Sequence, residues 1–258
     1  MFDLSGKTAL ITGGSRGLGL QIAAGYLQQG ARVILTARKA AELEEAKTEL
    51  LPVAKGDASR ILSCVSDLQD LDAIPAMVEQ LLAEVGSIDI LVNNAGTSWA
   101  APMEEHPLEA WNKVMTLNIT APFVLTREIG RQCMIARRYG KIINIASIGG
   151  LSGNPPGLNM NTIGYNTSKA AMINFTKALA SEWGKYNINV NALCPGFFQS
   201  KLSAKLLASI SDQVLPAVPL QRFGAETDLQ GPAVFFAADA SCHVTGTALA
   251  VDGGVTCA

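Results

Sequence analysis

Short apolar runs alternate with amphipathic stretches along the whole chain of 258 residues. The apolar runs have the length of buried strands, and they lie at residues 8–12, 32–37, 60–65, 88–94, 140–147, 188–194 and 248–253. The stretches between them have helical periodicity near residues 18–29, 40–50, 70–85, 104–117, 120–137, 165–185 and 226–239. This alternation predicts an α/β protein with a doubly wound parallel sheet and helices on both faces. Neither repeat nor linker interrupts it, so we expect residues 1–258 to form a single domain.

Residues 197–224 break the alternation after the sixth predicted strand. Apolar side chains recur at every fourth position there, at Leu202, Leu206, Ile210 and Val214, which predicts a short amphipathic helix. Ligands of open α/β sheets bind outside the carboxyl ends of the strands, where this insertion starts. We therefore expect residues 197–224 to form a lid over a substrate.

Composition excludes several classes of function. Apolar residues make up 48% of the chain and charged residues 16%, which suits a sheet that is buried on both faces. The net charge of −2 gives no electrostatic basis for binding nucleic acid or an anionic membrane. The amino terminus lacks the pattern of a signal peptide, and no apolar run approaches the roughly 18 residues of a transmembrane helix. The cysteines form no C-x-x-C pair, so we expect a cytoplasmic protein without a metal site.

A glycine-rich turn follows the first predicted strand, in the segment ALITGGSRGLGLQIA. Gly13, Gly17 and Gly19 in this turn suit a backbone that needs positive φ angles and a close approach to a phosphate group. The amide groups at the start of the next helix would then face the phosphates. The spacing differs from the G-x-G-x-x-G pattern, but its position between the first strand and the first helix favours a dinucleotide cofactor.

The end of the second predicted strand, ILTARKAAEL, indicates which dinucleotide is bound. Proteins that bind NAD usually place an acidic residue there, which holds the 2′-hydroxyl of the ribose. This chain instead has Arg38 and Lys39 with no acid at the strand end, and Arg16 lies in the glycine turn. Three cations suit a 2′-phosphate, so we expect NADP(H) rather than NAD(H); the alternative is a solvated basic turn.

Tyr165 and Lys169 lie four residues apart in the segment IGYNTSKAAMINF, and so on one face of a predicted helix. Neither side chain is a base at neutral pH by itself, but a nearby ammonium group lowers the pKa of a phenol. The pair can therefore act in acid–base catalysis. Taken alone, the same spacing also fits a surface helix on which the two side chains meet by chance.

Several motifs occur together in an order that resembles the short-chain dehydrogenases/reductases. They are TGGSRGLG (12–19), NNAG (93–96), Asn118 in LNITAPF, Ser147 in INIAS, YNTSK (165–169), PGF (195–197) and AVDGG (250–254). The resemblance covers the whole chain and implies a Rossmann-type sheet of seven parallel strands. It also implies a homotetramer or a dimer, assembled through the helices after the fourth and fifth strands.

The same resemblance assigns roles to individual residues. Tyr165 would be the catalytic acid or base and Ser147 would polarise the substrate oxygen, while Lys169 would lower the pKa of the tyrosine and hold the nicotinamide ribose. Asn118 would support a water in a proton relay. The residues that would contact the cofactor are Gly13, Ser15, Arg16, Gly17, Leu18, Gly19, Arg38, Lys39, Asp67, Leu68, Asn94, Ala95, Gly96, Tyr165, Lys169, Pro195, Gly196 and Phe198.

The segment between Ser147 and Tyr165 holds 17 residues, IGGLSGNPPGLNMNTIG, more than most members of the family have there. Its prolines and asparagines predict a loop, which would border the substrate. The residues expected to contact the substrate are Trp99, Ser147, Leu151, Asn154, Tyr165 and Phe197.

We expect NADPH-dependent reduction of a ketone, and the residues leave its identity open. A 3-oxoacyl thioester comes first, because apolar side chains offer a pocket and because three cations could receive an acidic carrier protein, namely Arg137, Arg138 and Lys141. A keto sugar acid of the gluconate type is the main rival, for which Asn154, Asn159 and Asn161 would supply polar groups. Alicyclic and steroid ketones are further options. A redox-sensing regulator without catalysis is disfavoured, because the four catalytic positions are intact.

Overall fold

Parallel strands form one sheet in the computed structural model, which describes residues 1–154, 158, 160–198 and 211–257. The seven strands of the described chain are β1 (Thr8–Thr12), β2 (Arg32–Ala37), β3 (Ile61–Val65), β4 (Ile90–Asn93), β5 (Gly140–Ile145), β6 (Ile188–Pro195) and β7 (Ala248–Val251). Their order in the sheet is β3-β2-β1-β4-β5-β6-β7, and every neighbouring pair is parallel. This confirms the predicted Rossmann-type fold, and the strand order reverses direction between β1 and β4.

Helices connect the strands and cover both faces of the sheet. They are α1 (Gly17–Gln28), α2 (Ala40–Leu50), α3 (Ile74–Val85), α4 (Leu108–Met115), α5 (Ala121–Ile129), α6 (Ile135–Arg137), α7 (Ile163–Trp183) and α8 (Gln230–Ala237). The helices α4, α5 and α6 follow one another through the π-helical turns Thr116–Thr120 and Gly130–Met134, where two separate helices were expected. Pro122 lies just after the first of these turns and has no amide hydrogen for the regular ladder, which favours a local change of helix type there.

Neighbouring residues of each central strand contribute to opposite sides of the core. Leu10 packs with α3 and α5 on one face of the sheet, and the next residue, Ile11, packs with α1, α2 and α8 on the other. Both side chains are fully buried. Burial on both faces explains why the strands are continuous apolar runs rather than alternating ones.

Several strands end earlier than the apolar runs predicted, and the residues beyond them enter the site. The run 140–147 is a strand only to Ile145 because Ser147 leaves the ladder and caps a short 3-10 helix, Ile148–Gly150. The strand in the predicted run 248–253 likewise ends early, at Val251. The chemistry-bearing residues are therefore held directly after rigid strands.

The lid predicted at residues 197–224 falls largely outside the described residues. Leu202, Leu206 and Ile210 are among those that the structure does not describe, so the short amphipathic helix stays a prediction. In the described part, a small apolar cluster is formed by Leu158, Phe197, Val214, Val218, Phe223 and Val255. It joins the loop after β5, the end of β6 and the carboxyl terminus. No helix in the described ranges is both long and apolar enough to cross a membrane.

Candidate active site

The side chains of Ser147 and Tyr165 meet beyond the carboxyl end of β5. Ser147 follows that strand by two residues, and Tyr165 lies in the first turn of α7. The Ser147 hydroxyl lies close enough to the Tyr165 phenol to favour its ionised form. The Ser147 Oγ also accepts a hydrogen bond of 3.1 Å from the Gly149 amide, which fixes its rotamer. The structure thus brings together the two hydroxyls that the sequence predicted to face the reacting oxygen.

Lys169 lies one helical turn beyond Tyr165 and is almost fully buried, with 5% of its surface exposed. Its Nζ donates a hydrogen bond of 2.6 Å to the carbonyl oxygen of Ile145. The same atom lies 5.5 Å from the centroid of the Tyr165 ring. Burial lowers the pKa of Lys169 to about 8.

The pKa of Tyr165 differs from the expectation that the neighbouring ammonium group lowers it. Burial raises this pKa, and the hydrogen bond from Ser147 opposes the rise without cancelling it. The Lys169 ammonium group donates to the Ile145 carbonyl, 5.5 Å from the centroid of the phenol ring, and it does not outweigh the effect of burial. In this structure Tyr165 is therefore a neutral phenol, a proton donor rather than a base.

Asn118 fastens the loop after β4 to α7. It lies in the π-helical turn Thr116–Thr120 and only 1% of its surface is exposed. Its Oδ1 accepts from the Thr97 amide at 2.8 Å, and its Nδ2 donates to the Thr97 carbonyl at 2.9 Å and to Ser168 Oγ at 2.9 Å. Both side-chain amide hydrogens are thus used by protein groups, so a relay water would have to bind Oδ1 or a nearby backbone group.

The glycine of the NNAG segment lies directly against this cluster. A Cβ atom on Gly96 would stand 3.3 Å from Asn118 Oδ1 and 3.6 Å from Lys169 Nζ. A methyl group there would touch the ammonium group and crowd the Asn118 side chain.

The glycine turn after β1 has the backbone that a phosphate site requires. Gly13 and Gly17 adopt φ angles of +62° and +56°, in the region that favours glycine. A Cβ atom on Gly19 would lie 2.5 Å from the carbonyl oxygen of Gly13, so the helix start packs against the turn too tightly for a side chain. Ser15 and Leu18, which belong to the same turn, are partly buried.

A hydrogen-bond clamp, not predicted from the sequence, joins this turn to the end of β4. The Thr12 hydroxyl accepts from the amides of Asn94 and Ala95 at 2.9 and 3.0 Å. The Asn94 side chain donates to the carbonyls of Thr12 and Gly13 at 2.8 and 3.1 Å. The two loops that flank the sheet's reversal point are therefore one rigid unit, and the cradle fits a dinucleotide.

The three cations predicted to recognise a 2′-phosphate are exposed at this end of the sheet. Arg16 precedes α1, and Arg38 and Lys39 precede α2. The strand end itself carries no acid, but Glu42 in the first turn of α2 pairs with Lys39 at 3.0 Å. Glu42 follows the strand end by five residues, and only the first turn of α2 brings its carboxylate back to Lys39. A pattern that inspects the strand end alone therefore misses it.

The adenine side is formed by the end of β3. The Ser66 amide donates to the Ala37 carbonyl at 2.9 Å, which holds the ends of β2 and β3 together. Asp67 is exposed and its Oδ1 accepts from the Gln69 amide at 3.1 Å, while Leu68 is buried. Their contacts with adenine stay a prediction.

The segment after β6 borders the opposite end of the cradle. Pro195 closes that strand, and Gly196 donates its amide to the Val251 carbonyl at 3.0 Å. A Cβ atom on Gly196 would stand 2.7 Å from the Cβ of Asp252, so only glycine fits. The Phe198 ring is buried against Gly224, so a contact of Phe198 with a cofactor would use its backbone.

Comparison with known proteins agrees with this geometry. The model of the short chain dehydrogenase family matches residues 7–210. The chain is 40% identical to the 2-dehydro-3-deoxy-D-gluconate 5-dehydrogenase of Pseudoalteromonas atlantica over 256 residues, which is 98% of this chain and 97% of that protein. It is 36% identical to the 3-oxoacyl-(acyl-carrier-protein) reductase of Chlamydia trachomatis over 252 residues, 98% of each.

A solved structure shows the same fold. The gluconate 5-dehydrogenase from Burkholderia cenocepacia, in complex with NADP and tartrate, has a TM-score of 0.90 with this chain at 35% identity, covering 100% of this chain and 98% of that one. The chain belongs to the short-chain dehydrogenase family. It is an NAD(P)-dependent oxidoreductase, and its cofactor is a nicotinamide dinucleotide.

The loop that distinguishes this short-chain dehydrogenase is tied to α7 by a ring of polar side chains. Asn154 Nδ2 donates to Thr162 Oγ1 at 3.0 Å, Thr162 Oγ1 donates to Asn166 Oδ1 at 3.1 Å, and Asn166 Nδ2 donates to Asn154 Oδ1 at 3.0 Å. A Cβ atom on Gly149 would stand 3.1 Å from Asn166 Oδ1 and 3.5 Å from Ser147 Oγ. The polar ring, as we call these three side chains, therefore lies beside the candidate active site.

Apolar side chains occur on the same side of the molecule. Trp99 and Leu151 are 47% and 44% exposed, and Phe197 packs on Phe223 with ring centroids 6.4 Å apart. Asn159 lies outside the described residues, and Asn161 adopts a φ of 45° with its carbonyl bonded to the Ala101 amide.

The three cations that could receive a carrier protein are divided between the interior and the surface. Lys141 is buried and donates to Asn189 Oδ1 at 2.8 Å, and Arg137 pairs with Asp89 at 2.8 Å. Arg138 stays exposed and bonds the Lys185 carbonyl. The prediction is therefore wrong for Lys141, and the two arginines lie at the amino end of β5, the end opposite to Ser147.

Proposed function

We propose that this short-chain dehydrogenase interconverts a keto sugar acid of the gluconate type and the corresponding hydroxy acid, with NADP(H) as cofactor. Its similarity to sugar-acid dehydrogenases carries the proposal. The identity is higher to the 2-dehydro-3-deoxy-D-gluconate enzyme than to the 3-oxoacyl reductase, and a similar solved gluconate dehydrogenase holds NADP and tartrate, itself a hydroxy acid. This reverses the order in which the sequence motifs alone ranked the two substrates.

The polar ring supports a polyhydroxylated substrate. Each of its three groups uses one donor and one acceptor within the ring, so the amides of Asn154 and Asn166 each keep one further hydrogen to donate. Such hydrogens suit the hydroxyls of a sugar acid. A long acyl chain would leave them without partners, at a cost in binding free energy.

The catalytic roles follow from the positions of the hydroxyl groups. The bound cofactor supplies or accepts the hydride. Ser147 donates a hydrogen bond to the substrate oxygen as negative charge develops on it, and the neutral Tyr165 phenol gives that oxygen its proton. Lys169 contributes its positive charge behind the tyrosine, and Asn118 positions the surrounding backbone. In the oxidative direction the same proton returns to Tyr165.

The proposed NADP(H) preference rests on the charges of Arg16, Arg38 and Lys39, which we call the basic cluster. Arg16 and Arg38 lie on the two loops that follow β1 and β2, so they approach the predicted ribose site from two sides. A guanidinium group binds a phosphate through two parallel hydrogen bonds, which an uncharged hydroxyl cannot accept equally well. The cations therefore favour the phosphorylated cofactor.

A 3-oxoacyl thioester is the second candidate, and the exposed apolar side chains favour it. Trp99 and Leu151 are large, apolar and accessible beside the site, as an acyl chain would require. This candidate has lost part of one support, because Lys141 is buried, while Arg137 and Arg138 are exposed at the end of β5 opposite to Ser147.

We also propose a homotetramer or dimer through α5 and α7. Phe123 on α5 is 46% exposed and meets Phe175 of α7 edge to face, with centroids 6.4 Å apart. An exposed aromatic residue at this place suits contact with a second copy. Light scattering of the purified protein tests this: a monomer at micromolar concentration would contradict it.

The substrate proposal is tested by steady-state kinetics with the purified protein. Oxidation of NADPH and NADH is followed with 5-ketogluconate and with acetoacetyl-CoA. We expect kcat/KM to be higher for the sugar acid and for NADPH. If acetoacetyl-CoA is the better substrate, the second candidate replaces the first. A preference for NADH would contradict the proposal that the basic cluster binds the 2′-phosphate of NADP(H).

A further inference from the structure

A carboxylate stands among the cations that would bind the 2′-phosphate. Glu42 lies in the first turn of α2, three residues after Lys39, and its Oε1 accepts a hydrogen bond of 3.0 Å from the Lys39 ammonium. The carboxyl is partly shielded by the protein, whereas the lysine is exposed. The hydrogen bond from Lys39 and the charges of Lys39, Arg16 and Arg38 all lower the pKa of Glu42, so the carboxyl lies within reach of all three charges and is ionised at neutral pH.

The same helix carries a second pair with the same spacing in a different setting. Lys47 pairs with Glu44 at 3.1 Å, also three residues apart. This pair lies further along α2, away from the glycine turn. Glu42 thus differs from Glu44 in its surroundings and not in the type of contact that it makes.

We propose that Glu42 is a specificity-determining residue that weakens the enzyme's preference for NADP(H) over NAD(H). Two effects act together. The carboxylate repels a 2′-phosphate that enters the group of cations, and it holds the Lys39 ammonium that would otherwise turn to the phosphate. The repulsion does not act on the uncharged 2′-hydroxyl of NAD. The inference rests on the proposed role of Arg16 and Arg38.

The net charge near the phosphate decides the size of this effect. Three cations and one carboxylate leave two positive charges, so the site still favours the phosphorylated cofactor. Without Glu42, a third charge would be free. With Glu42 in place, the enzyme therefore discriminates less strongly between NADP(H) and NAD(H) than the three cations alone would make it, and it can use both cofactors.

The test is the dissociation constant of each oxidised cofactor, measured by isothermal titration calorimetry. The proteins are the wild type, Glu42→Gln and the matched control Glu44→Gln. We expect Glu42→Gln to bind NADP⁺ about three times more tightly or better, while its affinity for NAD⁺ stays the same or falls. The gain for NADP⁺ should shrink when salt is added, because exposed charges are screened. Glu44→Gln should behave as the wild type.

The role of Lys39 is tested in the same assay. In the wild type, Lys39→Gln should weaken NADP⁺ binding less than it does in the Glu42→Gln background, because Glu42 holds the ammonium group. In the Glu42→Gln background, the same substitution should remove part of the gain. Circular dichroism melting of each variant confirms that the fold is retained.

Unchanged or weaker NADP⁺ binding in Glu42→Gln would overturn the inference, and weaker binding would mean that the carboxylate orders Lys39 for the phosphate instead. An equal gain in Glu44→Gln would overturn it too, because the effect would then come from net charge alone. A wild type that binds NAD⁺ more tightly overturns the proposed NADP(H) preference. The ratio between variant and wild type still reports on Glu42 in that case.

Discussion

The ammonium group of Lys169 donates a hydrogen bond of 2.6 Å to the carbonyl oxygen of Ile145, the last residue of β5. This contact ties the helix that carries Tyr165 to the strand that leads to Ser147. Because the strand end and the helix start are held together, the two hydroxyls keep a fixed separation. The arrangement thus supplies a rigid hydrogen-bond donor and a proton donor at one point.

Loss of the Tyr165 hydroxyl should abolish most of the activity. The substitution Tyr165→Phe keeps the ring and removes the proton donor, so we expect kcat/KM to fall roughly 100- to 10,000-fold while cofactor binding is retained. The matched control is Tyr186→Phe, which follows the other end of α7 and should leave kcat/KM unchanged. Full activity in Tyr165→Phe would mean that another group supplies the proton.

The pH dependence should report the buried lysine. Burial lowers the pKa of Lys169 to about 8, so its positive charge is present below that pH and is lost above it. Since this charge favours proton delivery to the substrate, kcat/KM for ketone reduction should decline as pH rises through about 8. Tyr165, whose pKa is raised by burial, stays protonated through the same range.

A variant identifies the group behind this pH limb. In Lys169→Arg the guanidinium keeps its charge, so the decline should move to higher pH even if the overall rate is lower. Lys177→Arg, at an exposed position of the same helix, should reproduce the wild-type profile. A profile of Lys169→Arg with an unmoved alkaline limb would assign the titration elsewhere.

The glycine turn should not tolerate a methyl group at Gly19. Its Cβ would lie 2.5 Å from the Gly13 carbonyl oxygen, so Gly19→Ala should lower the free energy of unfolding by about 1–3 kcal/mol and weaken cofactor binding. Gly231→Ala in α8 meets nothing within 4 Å and should be neutral or stabilising by up to about 1 kcal/mol. Denaturant unfolding and cofactor titration of both variants check this; equal behaviour would refute the packing argument.

The polar ring should affect one class of substrate. Asn154→Ala removes an amide that can bond a sugar hydroxyl, so KM for 5-ketogluconate should rise roughly 2- to 10-fold, as expected for one neutral hydrogen bond. KM for acetoacetyl-CoA should not rise. Asn174→Ala, at an exposed site on α7, serves as the control. A parallel increase for both substrates would point to a purely structural role of the ring.

Local patterns predicted the parts of the site that a single element carries. Tyr165 and Lys169 share a helical period and the glycines stand between a strand and a helix, so these positions follow from local spacing. Ser147, at the end of an apolar run, was found through the family resemblance. The opposite faces taken by Leu10 and Ile11 follow from burial on both sides of a parallel sheet.

Features that depend on contacts between distant segments were missed. Glu42 reaches Lys39 only because α2 begins immediately after the basic residues, and Asn166 meets Asn154 only when the loop closes on α7. The prediction that Lys141 would help to receive a carrier protein failed for a local reason. Lys141 belongs to a strand that is covered on both faces, and a lysine in such a strand is buried with a partner rather than offered to one.

Transfer of deuterium tests the central claim most directly. The protein is incubated with 5-ketogluconate and with NADPH in which both hydrogens at C4 of the nicotinamide are replaced by deuterium, and the product is analysed by mass spectrometry and NMR. The account predicts a hydroxy acid with one deuterium on the former ketone carbon. It also predicts that Tyr165→Phe forms little or none of this labelled product. A product without deuterium, or no product while acetoacetyl-CoA becomes labelled, would contradict the account.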